Sequence, residues 1–340
     1  MSERILIIGP AWVGDMMMAQ VLFKLLCQQN PRALLYVLAP AWSQALLSRM
    51  PEVHKSIVLP FGHGQLQLLK RYQFAKQLRA EKYDRAIVLP NSFKSALIPF
   101  WAKIPKRTGF LGEYRFGLLN DIYHLNKKTL PMMVQRFAAL AFRKKTLLPA
   151  NLPTPKLFVD RKNIDITLQK YNLKTDKPIL ALCPGAEFGP SKCWPATHYA
   201  TVANQKLSEG WQVWLFGSPK DQKIAEEIQV LTQNRCDNLT GKTQLAEAVD
   251  LLSLVSCVVT NDSGLMHIAA ALDRFIIALY GSTSPDFTPP LSDQARILKL
   301  NLACQPCFKR QCPLKHHHCM KLLLPEKVTD TIASSQAKAR

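Results

Sequence analysis

Short uninterrupted apolar runs alternate along this chain with longer stretches in which apolar residues recur every three or four positions. The runs at 5–9, 34–39, 56–60 and 85–90 have the length of buried strands. The stretches at 15–29, 41–49, 65–81 and 92–102 have the period of helices with one apolar face. In 65–81, Leu66, Leu69, Tyr72 and Leu78 share that face, with lysines and arginines on the other positions. Strands alternating with helices predict a parallel sheet covered on both sides. The alternation breaks near residue 144. Pro149, Pro153, Pro155 and a charged stretch ending in Asp176-Lys177-Pro178 predict a linker over 151–177. It then restarts, with strands expected at 179–183, 212–216, 257–260 and 275–280 and helices at 195–209, 219–232, 243–254 and 264–272. The expected fold class is α/β, two doubly wound Rossmann-like domains (1–150 and 178–340) facing a central cleft at the carboxyl ends of their strands, where such sheets bind ligands.

Length and charge narrow the classes. A chain of 340 residues is long enough for two domains, each with its own core. Its 44 Lys+Arg against 24 Asp+Glu leave a net charge of +20. That excess favours an anionic partner: nucleic acid, phosphorylated small molecules or an acidic membrane surface. The run at 5–8 is too short for a signal peptide, and no stretch reaches the roughly 18 apolar residues of a spanning helix. Nine cysteines, an odd count, argue for reduced thiols. A cytoplasmic protein with at most peripheral membrane contact is expected. The basic residues are scattered, with no aromatic-interleaved ribbon, so nucleic acid is not the expected partner.

Chemistry concentrates where strands meet helices. Asp15 stands in Trp12-Val13-Gly14-Asp15, between the first apolar run and the first helix. It is either a helix cap or a positioned acid. In Thr260-Asn261-Asp262-Ser263-Gly264-Leu265-Met266-His267 a strand ends in polar residues as a helix begins. Its free N–H groups can hold a phosphate, with Asp262 and His267 beside it, or Asp262 and Ser263 merely cap the helix. Lys192, at the far end of the glycine- and proline-rich loop 183–195, could reach a diphosphate. Gly281 and Ser282, in the small-residue loop after the last strand, suit phosphate or nucleotide contact. No P-loop and no G-x-G-x-x-G occurs, which counts against a dinucleotide-dependent oxidoreductase. No Asp-x-Asp pair occurs either, so lysine and backbone dipoles would have to stabilise a departing phosphate.

The ordered motifs W-V-G-D-M-M-M, L-P-N-S-F-K-S-A (89–96), C-P-G-A-E-F-G-P-S-K-C-W-P (183–195), T-N-D-S-G-L-M-H and Y-G-S-T-S-P-D-F-T-P-P (280–290) resemble those of the lipopolysaccharide heptosyltransferases over nearly the whole chain. The resemblance implies the glycosyltransferase B fold, an acceptor-binding first domain and a donor-binding second. It implies inverting, metal-independent transfer of L-glycero-D-manno-heptose from ADP-heptose to the first heptose of heptosyl-Kdo2-lipid A, at the anionic inner-membrane surface. A sister enzyme acting on another core acceptor is the alternative. Asp15 would be the catalytic base, with Gly9 and Gly14 clearing room for two sugars. Lys192 would contact the diphosphate and Asp262 the donor sugar, with Ser263, Gly264 and His267 completing the contacts. For the acceptor, Lys94, Arg107, Arg115 and Arg136 are the candidates, arginine pairing bidentately with phosphate and carboxylate. The ribose partner, an acid after the strand at 212–216 in some relatives, stays open at Gly217-Ser218-Pro219-Lys220-Asp221.

No cofactor is expected for catalysis. The segment 304–319, C-Q-P-C-F-K-R-Q-C-P-L-K-H-H-H-C, leaves two readings. Cys304, Cys307, Cys312 and Cys319 form a structural zinc site, or they are reduced thiols of a surface loop.

Overall fold

The computed structural model describes residues 2–62 and 66–339. The chain forms two compact units that divide between Pro155 and Lys156. In the first, β1 (Arg4–Ile8), β2 (Leu34–Ala39), β3 (Val53–Val58), β4 (Arg85–Val88), β5 (Lys106–Phe110) and β6 (Asp121–Tyr123) make one parallel sheet in the order β3-β2-β1-β4-β5-β6. Ile7 on β1 lies between Val37 and Ile87, all three without exposed surface. A central strand covered on both faces must be apolar throughout, which is why 5–8 reads as an unbroken run.

The helix Val13–Gln29 begins two residues before the expected start, with Trp12 in the cap position. It buries Met16, Met17, Met18, Val21, Leu22, Leu25 and Leu26. Gly9 serves this packing. A Cβ there would stand 3.0 Å from Met16 Cε and 3.1 Å from Ala39 Cβ, so the space expected for a sugar is already filled by the helix. The expected helix at 41–49 is a 3₁₀ turn, Ala41–Ser43, followed by the short helix Gln44–Leu47. The helix expected at 65–81 runs Leu68–Leu78, and its expected first residue, Gln65, lies outside the described residues.

The second unit repeats the plan. Strands β7 (Ile179–Cys183), β8 (Gln212–Leu215), β9 (Asp237–Asn238), β10 (Cys257–Asn261), β11 (Phe275–Tyr280) and β12 (Ala295–Lys299) form a parallel sheet in the order β12-β11-β10-β7-β8-β9. Its core joins Leu180, Leu182, Val213, Leu215, Val259, Ile277 and Leu279 to Trp194 and Tyr199. In each sheet the strand order reverses once, between β1 and β4 and between β7 and β10. Loops leaving the carboxyl ends at such a reversal diverge and leave a crevice for ligand.

The segment 151–177 is not a bare linker. Asp160 caps a helix, Arg161–Lys170, by accepting from the N–H groups of Lys162 and Asn163. This helix belongs to the second unit. It is held to the helix Leu245–Leu252 by Asn163 Nδ2 donating to Asp250 and by Lys170 Nζ on Glu247 Oε1 (2.7 Å). Among the described residues no helix is long and apolar enough to cross a membrane.

Candidate active site

Within the first unit the reversal point brings together the loops after β1 and β4. The first leads to Asp15, half-buried in the opening turn of the helix Val13–Gln29. Because Trp12 holds the cap position, Asp15 is not the N-cap, and its carboxylate lies where the helix dipole favours an anion. The second loop leads to the helix Phe93–Trp101, whose second residue, Lys94, is partly exposed.

The three arginines expected at the acceptor are placed differently. Arg115 has no exposed surface. Its guanidinium donates to Pro90 O (2.7 Å), Ser95 Oγ (3.3 Å) and Phe110 O, tying the ends of β4 and β5 together. Burial lowers its pKa to about 10, so it stays charged at neutral pH. An arginine so enclosed is a brace for the loop carrying Lys94, and it cannot also form a bidentate pair with an acceptor phosphate in this arrangement. Arg107 donates to Leu118 O (2.6 Å) and Ile104 O (2.7 Å), and Arg136 to Leu130 O (3.0 Å) and Pro131 O (3.2 Å). Both remain partly exposed.

In the second unit the reversal point is more fully built. Lys192 Nζ donates to Asp262 Oδ2 at 2.6 Å and to Asp262 O at 3.2 Å, and Thr283 Oγ1 donates to the same Oδ2 at 2.6 Å. Three loops, after β7, β10 and β11, therefore converge on one carboxylate. Lys192 Nζ also lies 5.0 Å from the centre of the Phe188 ring, within cation–π range. Asp262 and Ser263 sit immediately before the helix Gly264–Ala271, so the N–H groups that open the helix lie beside this carboxylate and lysine.

What positions Lys192 is Asn261, a residue with no exposed surface. Its Oδ1 accepts from Trp194 N (3.1 Å) and the Tyr199 hydroxyl (3.1 Å), and its Nδ2 donates to Pro184 O (2.6 Å). One side chain thus pins both ends of the lysine loop to β10. Asn261→Ala leaves the Trp194 N–H and the Pro184 carbonyl without this partner, while the Tyr199 hydroxyl keeps Cys183 O, and the expected loss is roughly 2–4 kcal/mol of unfolding free energy in urea titrations. An unchanged denaturation curve would mean that the loop is held elsewhere.

His267 lies one turn into the helix and is 5% exposed. Burial lowers its pKa to about 4; Lys192 acts in the same direction and the Asp262 carboxylate opposes it. The ring is therefore neutral at pH 7 and offers one N–H and one lone pair. The unfolded chain takes up this proton near pH 6.5 and the folded one near pH 4, so the contribution to stability is whole above pH 6.5 and drains away as pH falls towards 4. Between pH 7 and pH 5 this amounts to about 2 kcal/mol, and His267→Gln is expected to flatten that part of the pH–stability curve.

Gly281 and Ser282 do not line an open donor surface. A Cβ on Gly281 would overlap Met320 and stand 3.2 Å from Cys319 Sγ. Ser282 is buried, with its Oγ 2.9 Å from Ser191 Oγ and its carbonyl accepting from Phe308 N (2.7 Å). The residue of that loop that reaches Asp262 is Thr283, which the sequence signals only as one more small hydroxyl after a strand. Asp221, whose carboxylate accepts from Ser218 N and Ser218 Oγ at 2.8 Å each, presses so closely on Gly185 that no side chain fits there.

The family described as Glycosyltransferase family 9 (heptosyltransferase) matches residues 71–318. Lipopolysaccharide heptosyltransferase 2 of Salmonella typhimurium is 48% identical over 340 residues, covering 97% of this chain and 98% of the relative. Lipooligosaccharide heptosyltransferase 2 of Haemophilus influenzae is 54% identical, covering 87% of this chain and 88% of the relative. The solved structure of Escherichia coli ADP-heptose lipopolysaccharide heptosyltransferase II superposes with a TM-score of 0.89 at 45% identity, covering 97% of this chain and 98% of that one.

Proposed function

The chain belongs to glycosyltransferase family 9, the heptosyltransferases, and from that premise we propose that it transfers L-glycero-D-manno-heptose from ADP-heptose to the first heptose of the lipopolysaccharide inner core. The observation that carries this reading is the likeness, over nearly the full length, to relatives named heptosyltransferase 2.

The second unit binds the donor. Lys192 and the N–H groups opening the helix Gly264–Ala271 take the diphosphate, and Asp262 and neutral His267 the heptose hydroxyls. Asp262 holds the lysine in place before the donor arrives, so the ammonium turns to the phosphate with little loss of order. As the glycosidic C–O bond breaks, negative charge grows on the diphosphate oxygen, and Lys192 with the helix N-terminus stabilises it without a divalent cation.

The first unit binds the acceptor. Asp15 removes the proton of the acceptor hydroxyl as that oxygen attacks the anomeric carbon, which inverts in one displacement. Lys94, with the partly exposed Arg107 and Arg136, pairs with acceptor phosphates and carboxylates. The net charge of +20 draws the enzyme to the anionic surface that carries the lipid-linked acceptor.

The test is the configuration of the new bond by NMR. A linkage opposite to that of the donor supports single displacement; a retained one removes Asp15 as a simple base.

A further inference from the structure

The segment after β12 has no core of its own. From Asn301 to Cys319 not one residue is buried, and Phe308 and Leu314 point outward, 48% and 57% exposed. Its partly buried side chains are Leu302, Cys304, Gln305, Cys307, Cys312, His316, His317 and Cys319. Thiols and imidazoles dominate the inward face, and these groups bury little apolar area. Yet the segment keeps a defined course. Phe308 N donates to Ser282 O, Ser191 Oγ to Lys309 O (2.5 Å) and Ser191 N to Arg310 O (3.2 Å), while His317 Nε2 lies 3.0 Å from Ser191 O. Gly189, at φ 150°, admits the Arg310 carbonyl to within 2.6 Å of where a Cβ would be.

The four cysteines line one small cavity of about 20 Å³, with His316 and His317 on its wall. That is the room of a single water molecule or ion. Cys304, Cys307 and Cys312 are each near enough to act electrostatically on Cys319, and all four are free thiols. We propose that Cys304, Cys307, Cys312 and Cys319 bind one thiophilic divalent ion, zinc(II) or iron(II), in a tetrahedral tetrathiolate site that serves as the missing core of this segment. Among the described residues no three such groups already stand at metal-bonding positions, so binding draws the four thiols together. Four protons leave as the four thiolates bond to the metal.

The site is structural, and its effect on transfer is indirect. The segment grips Ser191 and Ser282, the residues before Lys192 and Thr283, and those two meet at Asp262. A bound ion stiffens both donor loops from beneath. This last step rests on the donor assignment above, whereas the ion itself does not.

Elemental analysis of untagged protein, purified without chelator, is expected to give one zinc or iron per chain. Replacement by cobalt(II) is expected to produce thiolate-to-cobalt charge transfer and the intense visible bands of a tetrahedral site. Cys312→Ser lowers the stoichiometry and raises the KM for donor severalfold while kcat changes less. Metal-free protein whose four segment thiols titrate freely, a disulfide among them, or cobalt without a charge-transfer band would each overturn the site. The metal content and spectrum are read on wild-type protein without substrate, so they stand even if a cysteine variant fails to fold or the reaction is another.

Discussion

Asp15→Asn is expected to lower kcat by about 10²–10⁴-fold with the KM for donor unchanged. The amide keeps the size and the position of the side chain, so the helix Val13–Gln29 is retained. Trp12 and not Asp15 occupies the cap position, and the methionines of the next turn hold the helix to its sheet. What is lost, in the proposed mechanism, is the carboxylate that takes the acceptor proton. Without it the hydroxyl must attack while still protonated, which raises the barrier for displacement but not the energy of the bound donor. Single-turnover transfer and donor binding, measured on the same preparation, separate the two. A fall in donor affinity with kcat intact would move Asp15 from proton transfer to structure.

The second large effect is at Lys192. Lys192→Ala is expected to lower kcat/KM by about 10²–10³-fold, because in the proposed mechanism an ammonium beside the helix start is removed where diphosphate charge develops. The damage has two parts. The lost cation weakens stabilisation of the leaving group, and the Asp262 carboxylate, 5% exposed, keeps Thr283 as a hydrogen-bonded partner but loses its counter-charge and repels the incoming diphosphate. The double variant Lys192→Met/Asp262→Asn separates them. Removing both charges is expected to recover stability and part of the ADP affinity while turnover stays low. Unchanged kcat/KM in Lys192→Ala would place the leaving-group contact elsewhere.

Much of this architecture is legible in the chain because central parallel strands must be apolar on both faces. The runs at 5–8 and 257–260 announce themselves for that reason. The missed elements lack that constraint. β12, Ala-Arg-Ile-Leu-Lys, is an edge strand and half-exposed; β6 and β9 have three and two residues; β5 begins on Lys106-Arg107. The helix Arg161–Lys170 was hidden because its anchors, Asn163 and Lys170, are polar and find their partners more than 70 residues away. The loops bearing Asp15, Lys192 and Asp262 could be read from strand-to-helix junctions alone. What those side chains touch could not. Nothing local distinguishes the enclosed Arg115 from the more exposed Arg107, or marks Asn261 as the staple of the lysine loop and Thr283 as the partner of Asp262. Those are facts of tertiary approach, visible only when the loops after β7, β10 and β11 are brought together.

The acceptor separates the proposed reaction from that of a sister enzyme. Purified enzyme is given ADP-heptose with Kdo2-lipid A that already bears one heptose, or with the same lipid lacking it, and the products are weighed by mass spectrometry. A single heptose is expected on the first acceptor and none on the second. Addition to the unheptosylated lipid, or to neither, would contradict the proposed reaction.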